Sequence, residues 1–85
     1  MRNFVLLKID LTDEFKPVTE NRLIATFTLV ASGKNTEDAF LTDGKGAEVE
    51  LPLGTRFEFE RVDLSELLVK GKTGEVLFVV GHTSG

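Results

Sequence analysis

The sequence predicts an all-β domain: about seven short antiparallel strands joined by tight turns, closed as a small barrel or folded as a compact sandwich. Three observations carry that prediction. Apolar and polar residues alternate at period two over most of the chain, the signature of half-buried strands. Gly, Pro, Asn and Asp interrupt the alternation at short intervals, as turns require. No stretch keeps a helical period beyond about one turn.

The elements follow in order. In FVLLKIDL, Val5, Leu7, Ile9 and Leu11 share one face while Lys8 and Asp10 take the other, a first strand. TDEFKPVTEN contains Pro17 and several polar residues and reads as a loop. RLIATFTLVA alternates again, with Leu23, Ala25, Phe27, Leu29 and Ala31 on one face, and SGKNTED is a second loop. Asp43-Gly44 predicts a hairpin between a strand at 39–42 and one at 46–51, because a tight turn there needs positive φ. VDLSELLV breaks the alternation. Asp63 with Glu66 three residues on has the form of a capping box, so at most one helical turn is expected near 63–67. In LLVKGKTGEVLFVV, residues 71–74 form the turn of a last hairpin, and Val76 to Val80, apolar on both faces, is expected to be central or covered on both sides. Leu6, Ile24, Val30 and Leu41 fall on nominally outward faces, so a second sheet or a second copy should cover them.

The stretch AEVELPLGTRFEFERVD raises the sharpest chemical question, since Glu48, Glu50, Glu58 and Glu60 crowd around a Pro–Gly corner. Taken as a hairpin across Pro52, Leu53 and Gly54, it pairs Glu50 with Arg56 and Glu48 with Glu58 on one wet face, with Val49, Leu51, Phe57 and Phe59 on the core face. A general acid/base pair needs a cleft, desolvation and a split of pKa values. Calcium needs about six to eight oxygens, which loops deliver better than a flat strand face. The expected reading is a solvated acidic patch, with neither catalytic nor metal-binding residues.

Composition excludes further chemistry. The 85 residues make a single domain, 1–85, and contain no cysteine, which removes disulfides, thiol catalysis and zinc–thiolate sites. A single histidine, His82, removes clustered imidazole ligands. GKT at 71–73 lacks the upstream glycine and following helix of a phosphate loop, so no nucleotide or other cofactor is expected. No apolar run approaches the ~20 residues that span a bilayer. The first residues read as a strand, so no membrane partner is expected and a cytoplasmic location is.

Two functions fit these limits. The first is a small non-enzymatic binding module that works through protein–protein contacts and self-associates as a homodimer, because short strands expose edges that accept partners. The second is binding of single-stranded nucleic acid. The length, the hairpin-rich plan and the closing strand–Gly-rich turn–strand resemble, in architecture, the OB-like single-stranded-DNA-binding proteins of filamentous phages. Such proteins stack bases on exposed aromatics beside a basic groove. Phe15 with Lys16, flanked by Arg22 and Lys34, is the candidate here, and Lys70 with Lys72 a second basic spot. The net charge of −4 counts against phosphate binding.

Overall fold

The computed structural model describes residues 2–84. It holds eight strands and, among the described residues, no helix: β1 Arg2–Asp10, β2 Lys16–Pro17, β3 Ile24–Ala31, β4 Ala39–Thr42, β5 Glu48–Leu51, β6 Arg56–Asp63, β7 Leu68–Lys70 and β8 Val76–Ser84. They form two antiparallel four-stranded sheets. The first, sheet A, runs β1-β8-β3-β6, and the second, sheet B, runs β2-β7-β4-β5. The sheets do not join into a closed barrel, and a sandwich-like arrangement fits them.

Period two explains the core. Val5, Ala25, Phe27, Leu29, Leu77 and Val79 point inward from sheet A, and Ala39, Leu41, Leu51 and Val69 from sheet B. Leu11, Leu64 and Leu67 close the ends from connecting segments. Each large aliphatic side chain fully buried this way contributes about 1.5–3 kcal/mol over leaving it in water. The Phe27 and Phe59 rings stack at 5.0 Å and lock β3 to β6 beneath the sheet. Gly81 of β8 lies opposite Phe27, and a Cβ there would come within 2.6 Å of the Phe27 Cα and collide with the Thr26 carbonyl. A side chain at 81 would therefore push the two central strands apart.

The connections differ from expectation in three places. The Pro52–Gly54 corner does not close a hairpin. β5 pairs with β4 in sheet B, and β6 pairs with β3 in sheet A, so the chain steps from one sheet to the other there. Residues 71–74 do the same, carrying the chain from β7 in sheet B to β8 in sheet A. Gly71 N–H donates to the Thr12 carbonyl (2.9 Å), which ties this crossing to the segment after β1. The β4–β5 hairpin does form, but its loop runs from Asp43 to Ala47, with positive φ at Gly44 and Gly46 and not at Asp43. The Asp43 carboxylate accepts the Lys45 N–H (2.7 Å), an Asx turn in place of the two-residue one.

No helical turn occupies 63–67. Asp63 Oδ1 accepts hydrogen bonds from Ser65 N–H (2.9 Å), Ser65 Oγ (2.8 Å) and Leu23 N–H (3.1 Å), which closes a turn and ties the end of β6 to the residue before β3. The loop at 32–38 is pinned as firmly. Asn35 exchanges two side-chain hydrogen bonds with the backbone of Val76 (2.7 and 3.0 Å), and the Glu75 carboxylate accepts from Thr36 N–H, Thr36 Oγ and Glu37 N–H.

Candidate functional site

Sheet A has one covered face and one bare one. Across its outer face Leu6, Val80, Thr28 and Glu58 stand in one row, and Lys8, Phe78, Val30 and Arg56 in the next. Phe4, His82 and Thr26 form a third. The face is therefore divided. Its β1–β8 half carries the exposed apolar residues, Phe4 88%, Leu6 69%, Val80 55% and Phe78 36% accessible, with Lys8 and His82 at its ends. Its β3–β6 half carries Thr26, Thr28, Arg56 and Glu58.

The doubly apolar Val76–Val80 is central, between β1 and β3, but the chain covers only one of its faces. Soluble monomers rarely leave a contiguous apolar strip of this kind bare without a use for it. Of the four outward apolar residues read from the sequence, Leu41 is in fact buried beneath sheet B and Val30 is half-buried. Ile24 and Leu6 are exposed. Phe4, Phe40 and Phe78 also sit outside, so alternation rather than residue type decided their side.

The two edges of sheet A are unlike. In β6 two residues, Glu60 and Arg61, stand opposite the single Thr26, a bulge with Arg61 at φ 55° and its N–H donating to Thr26 Oγ (3.2 Å). β1 pairs with β8 over nine residues with no shift of register.

The basic candidates are dispersed among carboxylates. Lys70 Nζ lies 4.6 Å from the Phe15 ring centre and 5.8 Å from that of Phe40, a cation–π contact, and 3.9 Å from Glu48. Lys72 reaches Glu37 at 4.0 Å and Arg22 reaches Asp63 at 3.9 Å. Lys16 is exposed on β2, and Lys34 is exposed in the 32–38 loop, where its N–H donates to Ser32 Oγ. Exposed pairs of this kind contribute about 0–1 kcal/mol, but each answers a positive charge locally.

The four glutamates do not share a face. Glu48 and Glu50 lie on β5 of sheet B, and Glu58 and Glu60 on β6 of sheet A, so neither the Glu50–Arg56 nor the Glu48–Glu58 pairing forms. The reason is the crossing at Pro52–Gly54. Glu50 instead meets Asp38. The hydrogen bond that the Glu50 carboxyl shares with Asp38, and the Asp38 charge, push Glu50 up, while that bond and the Leu53 N–H (2.9 Å) hold Asp38 down. Among the described residues no three acidic or histidine side chains converge in a way that could hold a metal ion. On the β5–β6 side Val49, Phe57, Phe59, Leu41 and Leu67 line an apolar opening of about 230 Å³ between the sheets.

Compared with known proteins, the chain matches no family model, no curated protein and no solved structure. No helix among the described residues is long and apolar enough to cross a membrane.

Proposed function

We propose that this protein is a non-enzymatic interaction module that works through protein–protein contacts and associates with itself. On this reading it is an open sandwich rather than an OB-like barrel, and a cytoplasmic setting is part of the proposal. One observation carries it: the outer face of sheet A presents Phe4, Leu6, Phe78 and Val80 as a continuous apolar strip beside a long free edge strand. Apolar area of this kind is what association buries, and aromatic residues are enriched where partners dock. Sedimentation over a wide concentration range tests it. A concentration-dependent dimer is expected, and a strict monomer at the highest concentration would overturn it.

The single-stranded nucleic-acid reading has Phe15 and Lys70 in contact in its favour, with Lys16 exposed in the next position. Against it stand the carboxylates beside Lys70, Lys72 and Arg22 and the net charge of −4. An anisotropy titration with labelled oligonucleotides at two salt concentrations decides between them, since phosphate contacts weaken steeply as salt rises.

A further inference from the structure

We infer that two copies of this chain join through β1, antiparallel and about a two-fold axis at Leu6, so that two copies of sheet A become one eight-stranded sheet. The inference rests on the self-association proposed above and specifies its geometry.

The backbone gives the first argument. Leu11 N–H donates to the Glu75 carbonyl (2.8 Å), and Leu11 continues the unbroken β1–β8 register that places Asp10 opposite Val76. Backbone groups in an antiparallel ladder alternate in direction. Residues 3, 5, 7 and 9 therefore turn their N–H and C=O groups to β8, and residues 2, 4, 6, 8 and 10 turn theirs to the free edge. A second β1 laid alongside would satisfy every one of them.

The other edges are closed to such pairing by devices that natural sheets use against it. β2 has two residues, one of them Pro17. β5 has four, carries Glu48 and Glu50, and runs into Pro52. β6 is bulged at Glu60–Arg61 and presents Arg56, Glu58 and Glu60 outward. β1 has nine residues, no proline, no bulge and no residue of positive φ.

Overlap and side-chain pairing then select the register. Pairing must set even positions against even ones, both to match the outward backbone groups and to keep inward faces inward. A two-fold axis at Leu6 overlaps the whole strand. It sets Leu6 against Leu6 of the second copy and Phe4 against Lys8 of the second copy, an aromatic–cation pairing. Moving the axis one residue earlier, to Val5, takes Lys8 away from Phe4 and shortens the overlap. Moving it one residue later, to Leu7, sets Phe4 against Asp10 and shortens the overlap. The self-complementary register is the one centred on Leu6.

The natural chain has no cysteine, so a single introduced thiol reports proximity without interference. Opposed residues in a hydrogen-bonded antiparallel pair have Cα atoms about 5.5 Å apart, within the ~4.4–6.8 Å that a disulfide bridges. Leu6→Cys, at an exposed position, is expected to form a disulfide-linked dimer under mild oxidation, whereas Thr55→Cys, at the exposed 52–55 corner, is not. On the unaltered protein, amide exchange at Phe4, Leu6 and Lys8 is expected to slow about tenfold or more as concentration rises through the dimerisation range. A sedimenting dimer whose 4, 6 and 8 amides stay fast and whose Leu6→Cys variant does not cross-link would overturn the β1 pairing and leave self-association standing. A strict monomer would remove both.

Discussion

β1 and β6 are the two edges of one sheet, and they have been treated in opposite ways. β6 carries alternating charges on its outer face, a bulge that spoils its ladder, and an arginine in a left-handed conformation to hold that bulge. β1 is longer, straight and capped by exposed Phe4 and Leu6. Sheet edges invite aggregation unless blocked, and on the proposed reading the blocked edge is kept apart while the open one joins a second copy. The apolar strip on β8 lies next to the open edge, not the blocked one. The difference within one sheet is therefore more informative about function than any single residue in the chain.

The largest effect is expected from breaking what both edges depend on. β8 and β3 are the central strands, and Gly81 lets them approach where Phe27 fills the core. In Gly81→Ala the new Cβ meets the Thr26 carbonyl and the Phe27 Cα of β3, backbone that cannot yield as a side chain can. The expected loss is about 3 kcal/mol, at the upper end for overpacking, read as a lowered midpoint in urea unfolding. Unchanged stability would mean that the two strands are not held as tightly as their register implies.

The next effect separates the edges. Leu6→Lys places a charge on the open edge and should weaken self-association at least about tenfold, or roughly 1.4 kcal/mol. Because Leu6 is exposed, the unfolding free energy of the monomer should stay within about 0.5 kcal/mol. Thr28→Lys, on the same face but on the polar half, should leave association almost unchanged. Equal losses from both substitutions would show that the whole face, not the edge, makes the contact.

How these features sat in the sequence is instructive. Alternation in 5–11 and 23–31 placed Val5, Leu7, Leu29 and Ala31 on the correct side, because the period of a strand is a local property. Partner choice is not local. A tight turn such as Pro52–Gly54 or Gly71–Gly74 can reverse the chain within a sheet or carry it to the facing one, and the flanking residues alternate either way. Both were read as hairpins, and both cross. That misreading also assembled four glutamates into a patch that the fold divides between two sheets. The clamps at Asn35–Val76 and Glu75–Thr36 join residues 41 and 39 positions apart, and nothing in SGKNTED marks them. Parity alone places Phe4 and Phe78 on the outer face, where residue type would not put them.

A smaller effect tests the guarded edge. Arg61 holds φ at 55°, where a side chain costs about 1–2 kcal/mol that glycine avoids. Glycine returns part of this by freeing the unfolded chain. Arg61→Gly should therefore stabilise the protein by about 0.5 kcal/mol and keep the bulge. Arg61→Val, which resists that conformation, should destabilise it by about 1 kcal/mol and straighten β6. If straightening β6 makes the protein aggregate while Arg61→Gly does not, the bulge is the guard.

Acid should distinguish the edges most gently. Hydrogen bonds from Ser65 Oγ–H and N–H hold the Asp63 carboxyl below its ordinary range, with Leu23 N–H and the Arg22 charge adding to them against partial desolvation. At Glu75 desolvation pushes upward, but the Thr36 and Glu37 N–H groups, the Thr36 hydroxyl and Lys72 outweigh it, and the net shift is also downward. A depressed folded pKa means that the unfolded chain takes up protons first. The stabilisation is therefore fully present above the unfolded value of about 4 and is lost as pH falls through the folded values. Asp63 anchors the end of β6 to Leu23, and Glu75 anchors the 36–37 backbone to the start of β8. The acid limb should thus appear first as faster amide exchange at Leu23, Ser65 and residues 36–37, before β1 loosens. Asp63→Asn should flatten the Leu23 and Ser65 part of that pH dependence and leave the Glu75 part, because its amide still accepts hydrogen bonds but no longer titrates. If β1 amides accelerate as early as those of Leu23 and Ser65, the two edges share one cooperative unit, and the contrast between them belongs to surface chemistry alone.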